Sequence, residues 1–369
     1  MSLPDHPFYQ PVEKIEDADA VAYAFLEKTG DPVPYPFKFK EIKPDDIRIK
    51  IAHTGLCQSD THTVRHYWGY CLHPAVPGHE VAGYVSQVGS AVKDFKVGDY
   101  VGAHPLRNFC EQCDQCKEKR GQLCQVTPPE EKFLYNPYFG GYSTHIQIPE
   151  KTCVKIPEQL TSNDACTLMC AGITVYNPIS RFFKKGEKCA VVGIGGLGHL
   201  AIQFAHKFGM EVTAFSATDS KTELVKKIGA VDLKSSVNMD ELAKEAGKYS
   251  LVVHTLPQLE PETQKAHQRL TKASGTFAIV GLPDINTQCE FDIFHIVLNE
   301  INVTGGFIGA PKLIGEMLEF ASKNQVVPIY EQFDFNDFPK AFNKLEHGKP
   351  MFRCVVDCKS YAEKNGLYK

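Results

Sequence analysis

The sequence lacks any apolar segment long enough to cross a membrane, since no run approaches the ~20 residues that a spanning helix needs. Its first residues, MSLPDHPFYQPVEK, show neither the apolar core of an export signal nor the Arg-rich character of an organellar one. The net charge of −4 offers no basic excess for a nucleic acid. We therefore expect a cytoplasmic protein whose partners include neither a membrane nor a nucleic acid.

Internal repeats and low-complexity tracts are also missing. With 43% hydrophobic and 23% charged residues, the 369-residue chain has the composition of a globular protein with room for two domains. Cysteine, by contrast, is abundant, with 13 residues. An odd number without an export signal favours reduced thiols and metal ligands over a disulfide framework.

Four cysteines are clustered in one short segment with the spacing C-x2-C-x2-C-x7-C: Cys110, Cys113, Cys116 and Cys124. Four thiolates can close a tetrahedral shell around zinc and leave no position for a substrate. The segment 110–124 is therefore predicted to be a loop held by a structural zinc ion.

A sparser set of zinc-type ligands consists of Cys57, the adjacent pair His79 and Glu80, and Cys170. Two thiolates and one imidazole leave a fourth position open, which is the arrangement of a catalytic zinc. Glu80 is interpreted as a spare ligand or as an anion behind the ligands. The sequence thus predicts two zinc ions per chain, one structural and one catalytic.

Two residues that closely follow Cys57 carry groups suited to proton transfer. The Ser59 hydroxyl can pass a proton onward from an alcohol at the metal, and His62 can carry it to the cofactor ribose or to solvent. We interpret Ser59 and His62 as a proton relay.

The order of predicted elements indicates two kinds of architecture. Up to about residue 160, short strand-like runs such as Ile47–Ala52 and Glu80–Val88 alternate with Gly and Pro turns, which is typical of a β-rich unit. From 171 to 304, strands such as Lys188–Val192 alternate with helical patterns, which favours a parallel sheet covered on both faces. The fold class is therefore α/β with a β-rich second domain.

A glycine-rich turn follows the strand Lys188–Val192 and opens a helix predicted over Leu197–Phe208: Gly193, Ile194, Gly195, Gly196, Leu197 and Gly198. In this context the pattern G-x-G-x-x-G is typical of a dinucleotide site, where backbone amides at a helix N-terminus receive the pyrophosphate. The sequence predicts that this turn binds a nicotinamide dinucleotide.

The residues after the next strand indicate which dinucleotide. An acidic residue that would bind the ribose 2′-hydroxyl of NAD is expected where this chain has Ser216, and Lys221 follows nearby. Hydroxyls and a Lys suit a 2′-phosphate, so the prediction is NADP(H). Asp219 is the acidic residue that argues for NAD, but we expect it to cap the following helix instead.

Several motifs together resemble the zinc-dependent medium-chain alcohol dehydrogenases, and most closely their cinnamyl alcohol dehydrogenase-like branch. They are GLCQSDTH (55–62), WG (68–69), PGHEVAGYVSQVG (77–89), the four-cysteine segment, CAGITVY (170–176), GIGGLGHLAIQFA (193–205) and GGFIGAPK (305–312). The resemblance implies a GroES-like β-rich catalytic domain over 1–170 and 305–369, and a Rossmann nucleotide-binding domain over 171–304. It also implies a homodimer.

By motif match, the resemblance implies further site residues. Trp68 and Phe307 occupy positions that line the substrate pocket, and Arg353 matches an arginine that lies near the cofactor and the zinc-site glutamate. It assigns the roles already suggested to the zinc ligands, the proton relay, the glycine turn, and Ser216 and Lys221.

Two departures from the branch bear on affinity and substrate. Gln58 stands where the branch has His facing the cofactor phosphates, so this contact becomes neutral. The segment 125–140, with Tyr135, Tyr138 and Phe139, differs from the plant enzymes and should border the substrate, so a lignin-type substrate is not implied.

The sequence therefore predicts a reductase of aldehydes to primary alcohols that uses zinc and NADP(H), with a preference for aromatic or medium-length substrates. One alternative is 1,4 reduction of conjugated iminium or enal substrates, with zinc secondary. The other is a relative that binds the nucleotide without catalysis. The intact ligand set argues against both alternatives.

Overall fold

The computed structural model describes residues 9–69, 71–134, 138–257, 260–348 and 350–368. Tyr135, one of the aromatic residues expected to border the substrate, lies outside these ranges. Backbone contacts divide the chain into two compact units. The first unit contains residues 1–170, 309–322 and 330–369, and the second contains residues 171–308 and 323–329.

Up to residue 170, the elements are β1 (Tyr9–Pro11), β2 (Ala20–Ala24), β3 (Val33–Phe39), β4 (Asp46–Leu56), α1 (Gln58–Val64), β5 (Glu80–Val88), β6 (Tyr100–Ala103), α2 (Asp114–Lys117), α3 (Pro129–Lys132), β7 (His145–Pro149), β8 (Val154–Lys155) and α4 (Ser162–Thr167). A π-helical turn, Leu168–Gly172, joins α4 to the following helix.

The middle of the chain contributes α5 (Ile173–Phe182), β9 (Lys188–Val192), α6 (Gly198–Lys207), β10 (Glu211–Ser216), α7 (Thr222–Lys227), β11 (Ala230–Ser235), α8 (Met239–Glu245), β12 (Tyr249–His254), α9 (Pro261–Arg269), β13 (Thr271–Ile279), α10 (Ile293–Leu298) and β14 (Asn302–Gly305). The remaining elements are α11 (Pro311–Asn324), β15 (Tyr330–Asp334), α12 (Phe338–Glu346), β16 (Arg353–Asp357) and α13 (Cys358–Lys364).

The first unit is built on a seven-stranded sheet in which β15, β16, β4, β5, β6 and β8 follow one another and β7 pairs with β4. Its long central strand β4 alternates buried apolar residues such as Ile47, Ile49 and Ile51, which is the pattern of a strand with one face on a core. The antiparallel β4–β5 pairing places Gly55 opposite Glu80. Because of this register, the residues just after β4 and just before β5 meet at one edge of the sheet.

The second unit is a six-stranded parallel sheet in the order β11-β10-β9-β12-β13-β14. Its central strands contain buried apolar runs, for example residues 189–192 of β9 and 251–253 of β12, as expected where helices cover both faces. The order reverses between β9 and β12, and such switch points form the ligand-binding edge of doubly wound sheets.

The predicted α/β fold class is confirmed: one unit is β-rich and the other is a parallel sheet with helices. Strand β4 is longer than the predicted Ile47–Ala52, while Glu80–Val88 and Lys188–Val192 have the predicted ends. Strand β11 and helix α8 were not predicted, since their sequences carry mixed polar and apolar residues without a clear period. Among the described residues, no helix has the length and apolar character to cross a bilayer.

Candidate active site and metal centres

Four side chains from three separate segments of the first unit form what we call the mixed cluster: Cys57, His79, Glu80 and Cys170. Each offers one ligand atom, and these atoms all lie within 4.8 Å of one another. Three of the four residues are buried and Cys57 is partly buried. The structure thus brings together all the residues that the sequence suggested for the catalytic zinc.

Local structure explains how each ligand reaches the cluster. Cys57 directly follows β4 and caps the N-terminus of α1, and His79 directly precedes β5, so the β4–β5 pairing brings them together. Cys170 lies in the π-helical turn after α4. Such a widened turn breaks the regular helix and is frequent at functional sites.

Asp60 supports the cluster from behind, a role that the sequence analysis did not assign. Its carboxylate accepts hydrogen bonds from His79 Nδ1 at 2.9 Å and from the backbone of Gly78 at 2.9 Å, and it is fully buried. It also accepts from the Tyr142 hydroxyl at 2.5 Å. Since Nδ1 donates to Asp60, Nε2 is the nitrogen that His79 can offer to a metal, as in carboxylate–histidine–zinc arrangements.

Glu80 is held by a buried ion pair with Arg353, on β16. Burial raises the pKa of the Glu80 carboxyl to about 7, although the Arg353 guanidinium opposes this. Its Oε2 atom is buried without a hydrogen-bond partner among the described residues, and any side chain at Gly55 would collide with it. This buried oxygen lies beside two thiols and an imidazole, and a bound cation would satisfy it.

A hydrogen bond couples the two thiols of the mixed cluster. The hydrogen bond from Cys170 holds the pKa of Cys57 well below its usual range, and the same bond raises the pKa of Cys170. A ready thiolate is the form that binds metal. Together with the unsatisfied Glu80 oxygen, this donor set fits zinc.

The predicted proton-relay residues lie beside the cluster on α1. Ser59 Oγ is 3.5 Å from Cys57 Sγ. Ser59 and His62 are three residues apart on this helix and therefore share a face. The His62 ring stacks on Trp68, with centroids 4.8 Å apart and planes 12° apart, so the structure joins the relay to one predicted pocket residue. The other, Phe307, belongs to the second unit.

What we call the four-sulfur cluster comprises Cys110, Cys113, Cys116 and Cys124. The Cys110 and Cys116 sulfurs are 3.9 Å apart, and those of Cys113 and Cys124 are 4.0 Å apart. Zn–S bonds of about 2.3 Å in a tetrahedron separate the sulfurs by ~3.8 Å, so the spacing fits zinc.

Backbone amides also donate to the sulfurs of this cluster, for example Cys113 N to Cys110 at 3.3 Å and Thr127 N to Cys124 at 3.4 Å. Burial tends to raise the pKa of the Cys124 thiol, but the hydrogen bonds from Thr127 hold it at about 5. The loop is therefore already arranged to favour thiolate.

In the second unit, the glycine turn between β9 and α6 has the shape of a phosphate cradle. Gly193 adopts a φ angle of 91°, which residues other than glycine rarely adopt. A side chain at Gly198 would lie 1.9 Å from Gly193 O, whereas the space next to Gly195 is open. Close packing of the helix start and an open approach at Gly195 are what a bound pyrophosphate requires.

Ser216 ends β10, as predicted, and is partly exposed there. The Lys221 ammonium donates to the carbonyl of Ile194 in the glycine turn at 2.6 Å, so it lies beside the dinucleotide turn. The prediction that Asp219 caps the next helix is wrong, because Lys221 occupies the N-cap position of α7 and only the Asp219 carbonyl bonds to that helix. The chain turns into the helix two residues later than predicted.

Comparison with known families matches two models: the "Alcohol dehydrogenase GroES-like domain" over residues 43–158 and "Zinc-binding dehydrogenase" over residues 196–323. The chain is 33% identical to a probable mannitol dehydrogenase from Medicago sativa, covering 92% of this chain and 94% of the relative.

Two solved structures are similar over 92% of this chain, each with 30% identity. A cinnamyl alcohol dehydrogenase from Sorghum bicolor matches with a TM-score of 0.85 over 97% of its length. The enzyme of that name from Helicobacter pylori, solved in complex with NADP(H), matches with a TM-score of 0.83 over 98% of its length.

Proposed function

The chain belongs to the zinc-dependent medium-chain alcohol dehydrogenases, in their cinnamyl alcohol dehydrogenase-like branch, and on that premise we propose that it transfers hydride between NADP(H) and primary alcohols or aldehydes. The resemblance drawn from the motifs is thereby confirmed. The observation that carries the proposal is the mixed cluster, whose four ligand atoms lie within 4.8 Å of one another.

We assign Cys57, His79 and Cys170 as the ligands of the catalytic zinc, with Glu80 as a fourth group beside them. When bound, zinc supplies a Lewis acid that polarises the substrate carbonyl and stabilises the alkoxide. Asp60 fixes the orientation of the His79 ring. The four-sulfur cluster holds the second zinc, which ties down its loop.

The proton needed at the substrate oxygen is assigned to Ser59 and His62. Ser59 lies within 3.5 Å of a zinc-ligand sulfur, close to where the substrate oxygen must bind. His62 shares its helix face and is fixed by stacking on Trp68. In the reductive direction, Ser59 donates its hydroxyl proton to the substrate oxygen and is reprotonated from His62.

The glycine turn is assigned to the pyrophosphate of NADP(H). The open approach at Gly195 supports this assignment, as does the position of the turn at the switch point of the sheet. Ser216 and Lys221 are assigned to the 2′-phosphate. Ser216 ends β10 and offers a hydroxyl, and Lys221 donates to the glycine turn and offers an ammonium group. Arg353 is assigned as a cofactor contact, and it also makes an ion pair with Glu80.

We propose aromatic or medium-length aldehydes as the substrate class. Trp68 places an aromatic surface next to the relay residue His62, and this surface favours a planar or apolar substrate. The names of the relatives refer to cinnamyl alcohol, which is aromatic, and to mannitol, which is a sugar alcohol. The choice between these substrate classes therefore rests on the pocket residues of this chain.

The function is tested by NADPH oxidation over aliphatic, aromatic and terpenoid aldehydes, repeated with NADH, with zinc counted by mass spectrometry. We expect turnover of aromatic aldehydes with NADPH, two zinc ions per chain and a cinnamyl alcohol product from cinnamaldehyde. A saturated aldehyde product would instead identify 1,4 reduction. Nucleotide binding without any turnover would identify a non-catalytic relative, and an NADH preference would refute the roles of Ser216 and Lys221.

We also propose that the protein is a homodimer that pairs through the edge of the second unit's sheet. Helix α10, which precedes the edge strand β14 in the chain, exposes four apolar side chains: Ile293, Phe294, Val297 and Leu298, between 62% and 80% exposed. Unpaired edges and apolar faces of this kind are usually covered by a partner. Light scattering should give twice the chain mass, and Phe294→Glu with Leu298→Glu should give monomers.

The state of the thiols supports a proposal for the cellular location. All thirteen cysteines are free, including the exposed Cys289, and such a set suits a reducing compartment. We therefore place the enzyme in the cytosol, and a fluorescent fusion that co-localises with an organelle would contradict this assignment.

A further inference from the structure

Side chains from three separate parts of the second unit form hydrogen bonds with backbone carbonyls in and next to the glycine turn. Thr255, after β12, donates its hydroxyl to Val192 O and Gly193 O at 3.1 and 2.9 Å. Lys221 donates to Ile194 O at 2.6 Å, and His199 Nδ1 lies 3.1 Å from Gly195 O. These three side chains satisfy carbonyls of the turn, and none of their bonds uses a backbone N–H that a pyrophosphate would need.

His199 differs from the other two side chains because it also bonds to a distant part of the chain. The backbone N–H of Ile329 donates to His199 Nε2 at 3.0 Å. A carbonyl can only accept, so Nδ1 carries the proton and Nε2 accepts; both bonds need this one neutral tautomer. The ring is fully buried on α6, where solvent does not compete for either bond.

One turn further along α6, Gln203 holds the same distant segment. Its amide donates to Val327 O at 2.9 Å and accepts from Val327 N at 3.2 Å, as a neighbouring strand would. Residues 326–329, which we call the strap, belong to no helix or strand. Two side chains of the helix that begins at the glycine turn, His199 and Gln203, therefore form hydrogen bonds with the strap.

The strap leads directly to the first unit. Ile329 is the last residue of the second unit, and the next residue, Tyr330, begins β15. In the β15–β16 pairing, Tyr330 stands opposite Arg353, which makes the buried ion pair with Glu80 of the mixed cluster. A continuous series of bonds thus runs from Gly195 O through His199 and the strap to the strand that carries Arg353.

We propose that His199 is a positioning residue that couples the pyrophosphate turn to the strap, so that dinucleotide binding stabilises the strap and the strap in turn strengthens dinucleotide binding. Such coupling is reciprocal by linkage. The inference rests on the proposed function only in taking the dinucleotide to be NADPH. His199 does not contact the reacting atoms, and its effect passes through Gly195 O and Ile329 N.

Three substitutions separate the two bonds. In His199→Asn, the amide nitrogen replaces Nδ1 and keeps the bond to Gly195, while the bond to Ile329 is lost. In His199→Gln, the amide oxygen replaces Nε2 and keeps the bond to Ile329, while the bond to Gly195 is lost. His199→Ala removes both. The backbone N–H of residue 199, 3.2 Å from Gly195 O, remains in every variant.

The experiment measures NADPH affinity by fluorescence titration and hydrogen exchange of residues 326–330 with and without NADPH, all on the zinc-loaded full chain. In the wild type we expect NADPH to slow exchange of the strap. His199→Ala should raise the Kd about five- to tenfold, the effect of one or two hydrogen bonds. His199→Asn should lose the part of the affinity that comes from the strap, and His199→Gln should retain strap protection in the free enzyme, but neither should show the slowing by NADPH.

The matched control is Phe204→Leu, which destabilises the same helix through its buried packing and leaves both bonds in place. It should lower the melting temperature but keep the affinity and the slowing of exchange. Strap exchange that does not respond to NADPH in the wild type, or an unchanged Kd in His199→Ala, would overturn the inference. A wild type that does not bind NADPH at all would instead refute the proposed function.

Discussion

The four-sulfur cluster takes all its ligands from one loop, whereas the mixed cluster takes them from three segments that only the folded sheet brings together. In the first, backbone amides of the loop itself support the sulfurs. In the second, charged side chains from elsewhere support the ligands: Asp60 orients His79 and Arg353 holds Glu80.

This difference matches the difference in chemistry. A closed shell of four thiolates needs only local stabilisation and serves the loop. A reactive centre needs ligands whose orientation and charge are set by their surroundings, and buried acids and bases are the means by which proteins set them. The two clusters should therefore respond in opposite ways when a ligand or its support is removed.

The largest expected effect is loss of turnover in Cys57→Ala. A catalytic metal supplies several kcal/mol of transition-state stabilisation, and about 4 kcal/mol corresponds to roughly 10³-fold in kcat/KM. The matched variant is Cys113→Ser in the four-sulfur cluster. Each variant should lose one zinc ion by mass spectrometry, but Cys113→Ser should lose thermal stability and keep kcat/KM within a few-fold per folded molecule.

Equal losses of activity in the two variants would contradict the division of roles. NADPH affinity serves as the common control, because neither cysteine belongs to the second unit. If Cys57→Ala retained turnover, the mixed cluster could not be the reactive centre.

A smaller effect is expected in Asp60→Asn, which tests the support rather than the ligand. The amide can still accept from His79 but carries no charge, so the imidazole becomes a weaker ligand. Removal of such a partner typically costs 10- to 100-fold in metal affinity or activity. Zinc titration against a chelator should show weaker retention of one zinc ion only, and kcat/KM should fall by a similar factor.

The control for this variant is Asp219→Asn, an exposed acid in the second unit. It should leave both zinc ions and the turnover unchanged. Weaker binding of both zinc ions in Asp60→Asn would point to general unfolding of the first unit and not to the loss of one contact.

The contrast also explains which features the sequence could predict. The four-sulfur cluster and the glycine turn are local, so their spacing alone was sufficient. Cys57, His79 and Cys170 are far apart in the sequence, so their residue types suggested them and only the fold shows that they lie together. Asp60 was overlooked although it stands three residues after Cys57, since a buried acid in a first helical turn is recognisable only once its burial is known.

Two further features depended on tertiary structure. The helix that follows β10 begins at Thr222, and Lys221 occupies its cap position because its side chain turns back to Ile194. Propensity favours an acid as a cap, and here the contact with the glycine turn outweighed it. The strap carries no motif, and its role follows only from the side chains of α6.

A third difference between the clusters is expected in the pH dependence of stability once the protein is stripped of metal. Burial raises the pKa of Glu80 from its usual 4.5 to about 7, so between these values the folded chain binds a proton that the unfolded chain has released. Stability from this group is therefore present at the acid end and is lost as pH rises from about 4.5 to 7, by up to ~1.4 kcal/mol per pH unit. Glu80→Gln should remove this slope, although it leaves Arg353 without its charged partner and lowers stability throughout.

Denaturant unfolding of the stripped wild type and Glu80→Gln at several pH values measures the difference, in which the contributions of buried histidines cancel. Glu223→Gln, on the exposed surface of α7, should keep the wild-type slope. Identical slopes of unfolding free energy against pH in wild type and Glu80→Gln would mean that Glu80 has the same pKa in the folded and unfolded chain. The proposed electrostatic difference between the two clusters would then be wrong.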